Sequence, residues 1–261
     1  MSDEVLFEAS GGTARITLNR PERLNAMNSE LLELLLEAVE TAASDDSITV
    51  VILTGAGKGF CAGGDIKEGL AIRGGDIEGD IRHLRTLMRS AQLLHEMPKV
   101  TIAAVNGACA GAGFSLACAC DLRYAARSAV FTTAFVTVGL SGDFGGTWTL
   151  PRIVGSARAC ELYLLSEKID ALEAERVGLV SRTLEDKALM GHVGEVAARL
   201  RSLPSGALKS AKANLNDAGG SSFVEQLDDE ARRHIQCSRT EDAREAVRAF
   251  IEKRQPRFNG R

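Results

Sequence analysis

Three stretches of this 261-residue chain are crowded with glycine: 55 to 64, 107 to 113 and 139 to 146. A residue without Cβ lets backbone approach another backbone or a ligand closely. Each cluster lies where an apolar run ends or a helical pattern begins, and there free N–H groups can hold an oxyanion. Two clusters could donate two N–H groups to one carbonyl oxygen. The third carries a carboxylate, Asp143, in Gly139-Leu-Ser-Gly-Asp-Phe-Gly-Gly-Thr-Trp148. Asp143 reads either as a general acid/base or as the N-cap of a helix starting near Gly146.

Simpler motif readings fit less well. Gly57-x-Gly59-x-x-Ala62 matches a loose dinucleotide pattern but does not follow the first strand of the chain, and no acidic strand end comes after it. Lys58 is followed by Gly, which argues against a phosphate loop. Gly113-Phe-Ser115-Leu-Ala117 partly matches a nucleophile elbow, yet the local composition is helical, so Ser115 reads as a buried helix serine bonded to its own backbone. Asp143-Phe-Gly145 lacks the other kinase motifs. The six cysteines include no C-x-x-C pair and the four histidines are scattered. We therefore expect no metal site, no disulfide framework and a reducing, cytoplasmic setting.

Composition limits the remaining classes. With 45% apolar and 25% charged residues the chain reads as globular. Its net charge of −4 argues against nucleic acid as a partner. Apolar runs such as Val50 to Leu53 fall far short of the ~18 residues of a membrane span. The start, Met-Ser-Asp-Glu-Val, has no basic or apolar leader pattern, so no signal peptide is expected.

The elements that must position these residues follow from periodicity. Ala14 to Leu18 alternates as a half-buried strand. Ser29 can cap a helix with apolar Leu32, Leu35, Leu36, Val39 and Ala43. Val50 to Leu53 and Val100 to Val105 read as buried strands, 77 to 95 as one helix, 112 to 119 as a short helix and Leu122 to Ala125 as a strand. From about 146 the pattern becomes helix after helix, with capping boxes at Asp170-x-x-Glu173 and Ser238-x-x-Glu241. No internal repeat is evident. We read an α/β core over 1–195 and a helical extension over 196–261, forming one structural unit.

Four ordered segments carry a resemblance over nearly the whole length. They are Thr17-Leu-Asn-Arg-Pro-Glu-Arg-Leu-Asn-Ala-Met27, Gly59-Phe-Cys-Ala-Gly-Gly-Asp-Ile66, Ala104-Val-Asn-Gly-Ala-Cys-Ala-Gly-Ala-Gly-Phe-Ser-Leu116 and Gly145-Gly-Thr-Trp-Thr-Leu-Pro-Arg152. With them the chain resembles the crotonase (enoyl-CoA hydratase/isomerase) superfamily. The resemblance implies an α/β spiral of ββα units, a helical C-terminal trimerisation region, a homotrimer or a hexamer made of two trimers, and an acyl-CoA substrate with no separate cofactor. It implies oxyanion N–H donors at Ala62 and Ala112, and substrate or CoA contacts at Arg23, Leu24, Ala26, Gly64, Asp65, Ile66 and Gly111. Phe250 and Lys253 would come from a neighbouring subunit. The positions matching the two hydratase glutamates carry Ser115 and Phe135. The segment around Asp143 and the ending Ala249-Phe-Ile-Glu-Lys-Arg-Gln-Pro-Arg-Phe-Asn-Gly260 look most like the ring-1,2-epoxyphenylacetyl-CoA isomerases of aerobic phenylacetate breakdown. Isomerisation by Asp143 is thus the leading expectation. Enoyl-CoA hydration and a non-catalytic acyl-CoA-binding or RNA-associated role are the alternatives.

Overall fold

A computed structural model describes residues 3–67 and 76–260. The first strands are β1 (Val5–Ser10), β2 (Thr13–Leu18), β3 (Val50–Gly55) and β4 (Gly59–Cys61). They are followed by β5 (Val100–Val105), β6 (Ala108–Ala110), β7 (Leu122–Ala126), β8 (Val130–Thr132), β9 (Ile169–Asp170) and β10 (Arg182–Leu184). Six of them form one sheet in the order β1-β2-β3-β5-β7-β10, parallel except for the β1–β2 hairpin. The others form a small sheet in the order β4-β6-β8-β9.

From β3 to β8 consecutive strands alternate between the two sheets. β3, β5 and β7 are neighbours in the large sheet while β4, β6 and β8 are neighbours in the small one, and a helical segment follows each pair. The ββα repeat that periodicity did not reveal is thus present in space. Its second strands are three-residue pieces, β4 and β6 inside glycine clusters, all too short to show a period of two.

The helices of the first half are α1 (Ser29–Ser44), α2 (Ile77–Leu87), α3 (Arg89–Glu96) and α4 (Ala112–Ala119). α1 buries Leu31, Leu32, Leu35, Ala38, Val39 and Ala42, the stripe expected of an amphipathic helix. Its cap is Asn28 rather than Ser29: the Asn28 side chain accepts from the Leu31 N–H at 2.8 Å, and Ser29 is the first helical residue. The helix expected over 77–95 is interrupted at Met88. α4 is buried along its entire length, as its uniformly apolar sequence requires.

The second half contributes α5 (Gly146–Val154), α6 (Ser156–Leu165), α7 (Ala171–Arg176), α8 (Leu189–Arg201), α9 (Ser205–Asp217), α10 (Phe223–Ser238) and α11 (Glu241–Glu252). Two short strands, β9 and β10, interrupt what the sequence suggested was purely helical. Asp170 caps α7 by accepting the Glu173 N–H at 2.8 Å, but the Glu173 carboxylate pairs with Arg158 and Arg176, so no reciprocal box forms. Ser238 ends α10. The cap of α11 is Thr240, one residue before Glu241, and the full capping box belongs to Ser222 and Glu225. The 195/196 division falls inside α8, whose Leu189, Val193 and Ala197 pack with Val50, Ile52, Ile102 and Ala104 of the large sheet.

Two buried ion pairs tie distant segments together. Lys212 of α9 meets Asp121 at 2.8 Å and also donates to the carbonyls of Leu94 and Lys99. Arg20 meets Asp65 at 3.0 Å and Glu4 at 3.1 Å, and donates to the Ala26 carbonyl. Removing one member of a buried pair strands the other charge, which costs about 3–5 kcal/mol. Arg20 keeps Glu4 when Asp65 is removed, so Asp65→Ala should lower unfolding stability by about 1–3 kcal/mol in a urea titration, and a loss below about 0.5 kcal/mol would contradict a structural role for the pair.

Candidate active site

The site grows from two clamped glycine segments. Asn25, buried with a left-handed φ of 57°, donates through its amide to the carbonyls of Gly59, Phe60 and Ala56 and accepts the Arg20 N–H. Asn106 donates to Gly57 and Gly59 and accepts the Gly55 N–H. These two asparagines satisfy the polar backbone of the turn before β4, which side chains must do where no ladder can.

Beyond β4 the chain runs alongside the segment that precedes α1. Met27 N–H donates to Gly63 and Asp65 N–H to Met27, fixing Gly64 between them. From the other side comes the turn into α4. A Cβ on Gly63 would lie 3.1 Å from the Ala110 oxygen and 3.5 Å from Gly111 Cα, so the two glycine clusters touch backbone to backbone. Gly113 seats α4: a Cβ there would fall 2.5 Å from Cys61 Cβ and 2.6 Å from the Cys61 carbonyl oxygen.

Among the amides left over at this junction, two belong to residues on opposite sides of one cavity wall. Ala112 is the first residue of α4, so its N–H has no partner within the helix. The Gly64 N–H likewise makes no hydrogen bond among the described residues. Both residues line one cavity of about 330 Å³. Ala62, the donor expected from the resemblance, is corrected here. Its N–H donates to the Leu24 carbonyl at 3.0 Å, and the residue does not line the cavity.

Asp143 enters the same cavity. It does not cap α5, whose N-cap is Gly145 with no side chain on the first-turn amides. Oδ1 of Asp143 is sealed from solvent without a hydrogen bond, and burial lifts the carboxyl to about 6. Met27, Leu32, Ile77, Ile81, Leu84, Phe135, Leu140 and Phe144 supply an apolar wall, with Asp80 of α2 as a second carboxylate. Phe144 and Ala134 hold positive φ values of 47° and 56°, backbone conformations costly for residues with a side chain and concentrated at functional sites. Ser115 lies behind, fully buried, with its hydroxyl directed at the Gly111 carbonyl at 3.4 Å, as a helix serine bonding back.

The remaining expected contacts divide into two groups. Arg23, Leu24, Ala26, Gly64, Asp65 and Ile66 are brought together by the pairing of 24–27 with 62–65, with Arg23, Leu24 and Ile66 exposed. Asp65 is the exception in this set: its carboxylate is buried against Arg20, so its side chain serves the fold and is not presented to a ligand. Gly111, at φ 52°, is the N-cap of α4. Phe250 and Lys253 stand exposed on and after α11 and do not line the cavity of their own chain.

Sequence reasoning missed Asp80 and the α2 wall, because a side chain's facing is set by tertiary packing, and missed Gly64 as a donor. The signal for Gly64 lay in the adjoining motif, where pairing of Met27 with Gly63 and Asp65 leaves the intervening amide turned away. Cys61, Cys118 and Cys120 are buried, and desolvation pushes their thiols up to about 12, which removes them as nucleophiles at neutral pH. Among the described residues no three His, Cys, Asp or Glu side chains converge as a metal site. No helix among them is long and apolar enough to cross a membrane.

Two amides facing an apolar cavity with one raised-pKa carboxylate can bind a carbonyl oxygen and move a proton beside it. The family model described as enoyl-CoA hydratase/isomerase matches residues 8–261. The chain is 39% identical to 1,2-epoxyphenylacetyl-CoA isomerase of Escherichia coli K12, covering all of both chains. It is 37% identical to the short-chain-enoyl-CoA hydratase of Clostridium acetobutylicum, covering 97% of this chain and 96% of that one. The crystal structure of an enoyl-CoA hydratase from Bacillus anthracis superposes with a TM-score of 0.92 at 32% identity, covering 99% of this chain and all of that one. The strand alternation between two sheets is the crotonase fold, and this chain belongs to the enoyl-CoA hydratase/isomerase family.

Proposed function

We propose that this protein is an acyl-CoA isomerase that moves a proton, and with it a double bond, in an unsaturated or ring-epoxide acyl-CoA. The observation that carries this reading is Asp143: a carboxylate lifted to about 6 by burial, in the cavity that also holds the free amides of Gly64 and Ala112. The thioester carbonyl oxygen accepts from the two amides. Asp143 takes a proton from the carbon next to that carbonyl, and the electron pair left behind delocalises onto the oxygen as an enolate. The same carboxyl then returns the proton to a carbon further along, restoring the thioester. A carboxyl near 6 suits both halves of this exchange, because neither protonation state is strongly disfavoured.

Ser115 and Phe135 at the positions of the hydratase glutamates support isomerisation over water addition. Asp80 in the cavity lining is the observation that favours the second reading, hydration of a 2-enoyl-CoA. Phe223, Val247, Phe250 and Ile251, exposed on α10 and α11, support assembly into a homotrimer or a dimer of trimers.

Asp143→Asn should abolish conversion of a 3-enoyl-CoA to its conjugated isomer, followed by ultraviolet absorbance, while leaving CoA-ester binding nearly intact. Near wild-type turnover would remove Asp143 from the mechanism. Water addition to crotonyl-CoA, read as loss of that absorbance, should be slow, and rapid loss would favour hydration. Ala112→Pro removes one amide at a first-turn position that tolerates proline. It should cost about 10²–10³-fold in kcat, the usual loss for one oxyanion donor.

The raised pKa also fixes a pH dependence. A base must be ionised, so kcat/KM should rise with pH through a midpoint near 6. For stability the sign is opposite: the folded carboxyl holds its proton above the unfolded value of 3.8, so its burial penalty grows as pH rises from about 4 to about 6 and is full above that. Asp143→Asn should stabilise the fold at pH 8, by an amount on the order of 2 kcal/mol, and not at pH 3.5. An equal effect at both values in thermal unfolding would contradict the burial penalty.

A further inference from the structure

The loop that carries Asp143 is folded around Tyr163 of α6. A Cβ at Gly142 would lie 3.2 Å from the Tyr163 ring, and one at Gly146 would lie 2.3 Å from its hydroxyl and 2.4 Å from Ser115 Oγ. The two hydroxyls thus face the same Cα from α6 and α4. The Tyr163 ring stacks on Phe135, at 6.0 Å between centroids and 5° between planes, and Phe135 lines the cavity. The phenol is therefore held by its neighbours on both sides.

Tyr163 Oη and Asp143 Oδ1 are both sealed from solvent, and neither makes a hydrogen bond of good geometry. A sealed hydroxyl and a sealed carboxylate oxygen at one short loop are complementary, and such orphaned groups in a folded protein call for a role. No Arg, Lys or His is among the described residues that line the cavity, and the neutral phenol of Tyr163 is a donor at this loop. The groups that face Asp143 bear this out: Cys61 of β4 and Tyr163 of α6 each sense its charge, and Asp80 of α2 shares the cavity. Ser115 of α4 is the polar neighbour of the phenol, and Cys118 lies on the same helix.

We propose that Tyr163, assisted by Ser115, is the positioning residue for Asp143: its hydroxyl, unbonded in this structure, supplies the hydrogen bond that fixes Oδ1 once the acyl group fills the cavity, and leaves Oδ2 to exchange the proton with that group. The proposal rests on Asp143 being the base. It adds a residue that no motif marks, on a helix that lies behind the cavity lining.

Tyr163→Phe keeps the ring stack and removes the hydroxyl. With a 3-enoyl-CoA, kcat should fall about 10-fold, the loss expected for a hydrogen bond to a charged group, with KM within about twofold of wild type. The acid limb of the kcat/KM profile should move to higher pH, because that hydrogen bond favours the carboxylate. Ser115→Ala should shift both in the same direction, less far. Wild-type kcat together with an unmoved acid limb in Tyr163→Phe overturns the proposal. Should that variant fail to fold, 3-fluorotyrosine at 163, a stronger donor, should lower the acid-limb midpoint, and an unmoved midpoint overturns it equally. The two levels separate cleanly: an active Asp143→Asn removes the base and this proposal with it, whereas an inactive Asp143→Asn beside a fully wild-type Tyr163→Phe removes this proposal alone.

Discussion

Gly63 and Gly111 press two backbone segments into contact, and the site depends on that contact. Buried amides are nearly always paired, and around this junction the chain goes to some length to pair them. Asn25 and Asn106 take up the carbonyls of the turn before β4, Leu24 takes the Ala62 amide, and Met27 bridges Gly63 and Asp65. Among the described residues that line the apolar cavity, one amide on each side, Gly64 and Ala112, remains unpaired. A carbonyl oxygen that gains negative charge is the natural complement to two such donors fixed in advance, since no reorganisation is needed when the charge develops.

The carboxylate is governed by the opposite rule. Asp65 and Asp121 are met by Arg20 and Lys212, and the buried Asp242 by the amides of Asn259 and Gly260, so these carboxylates spend their charge on holding segments together. Asp143 has no cation among the described residues of the surrounding cavity lining and no bond to Oδ1, and burial lifts its carboxyl to about 6. The contrast between paired and unpaired carboxylates separates structure from chemistry more clearly than burial does. The apolar wall of Phe135, Leu140 and Phe144 excludes the water that would otherwise restore an ordinary pKa.

Much of this was legible in sequence. The long strands of the large sheet, the amphipathic α1 and the buried α4 follow from apolar runs and spacing, and the glycine clusters announced close backbone approach. The small sheet was not legible, because β4, β6 and β8 are three-residue strands in glycine- and alanine-rich turns. Caps shifted by one or two residues, to Asn28 and Thr240, because neighbouring polar side chains compete for the same first-turn amide. Asp143 was legible as a carboxylate in a glycine-rich loop, but its raised pKa needed the packing of Phe135 and Phe144. The donor assignment moved from Ala62 to Gly64 because composition cannot say which amide of a tight turn is already bonded. Asp80 and Tyr163 reach the site region from α2 and α6, and only tertiary packing brings those helices to it.

The most direct test of one carboxyl working beside two backbone amides is to convert a 3-enoyl-CoA in deuterium oxide and follow the product by nuclear magnetic resonance. A single-carboxyl shuttle beside an apolar wall predicts the conjugated 2-enoyl isomer, with part of the substrate's own hydrogen carried to its new carbon. A 3-hydroxyacyl-CoA product, or an isomer whose new C–H position is wholly deuterium, would contradict it.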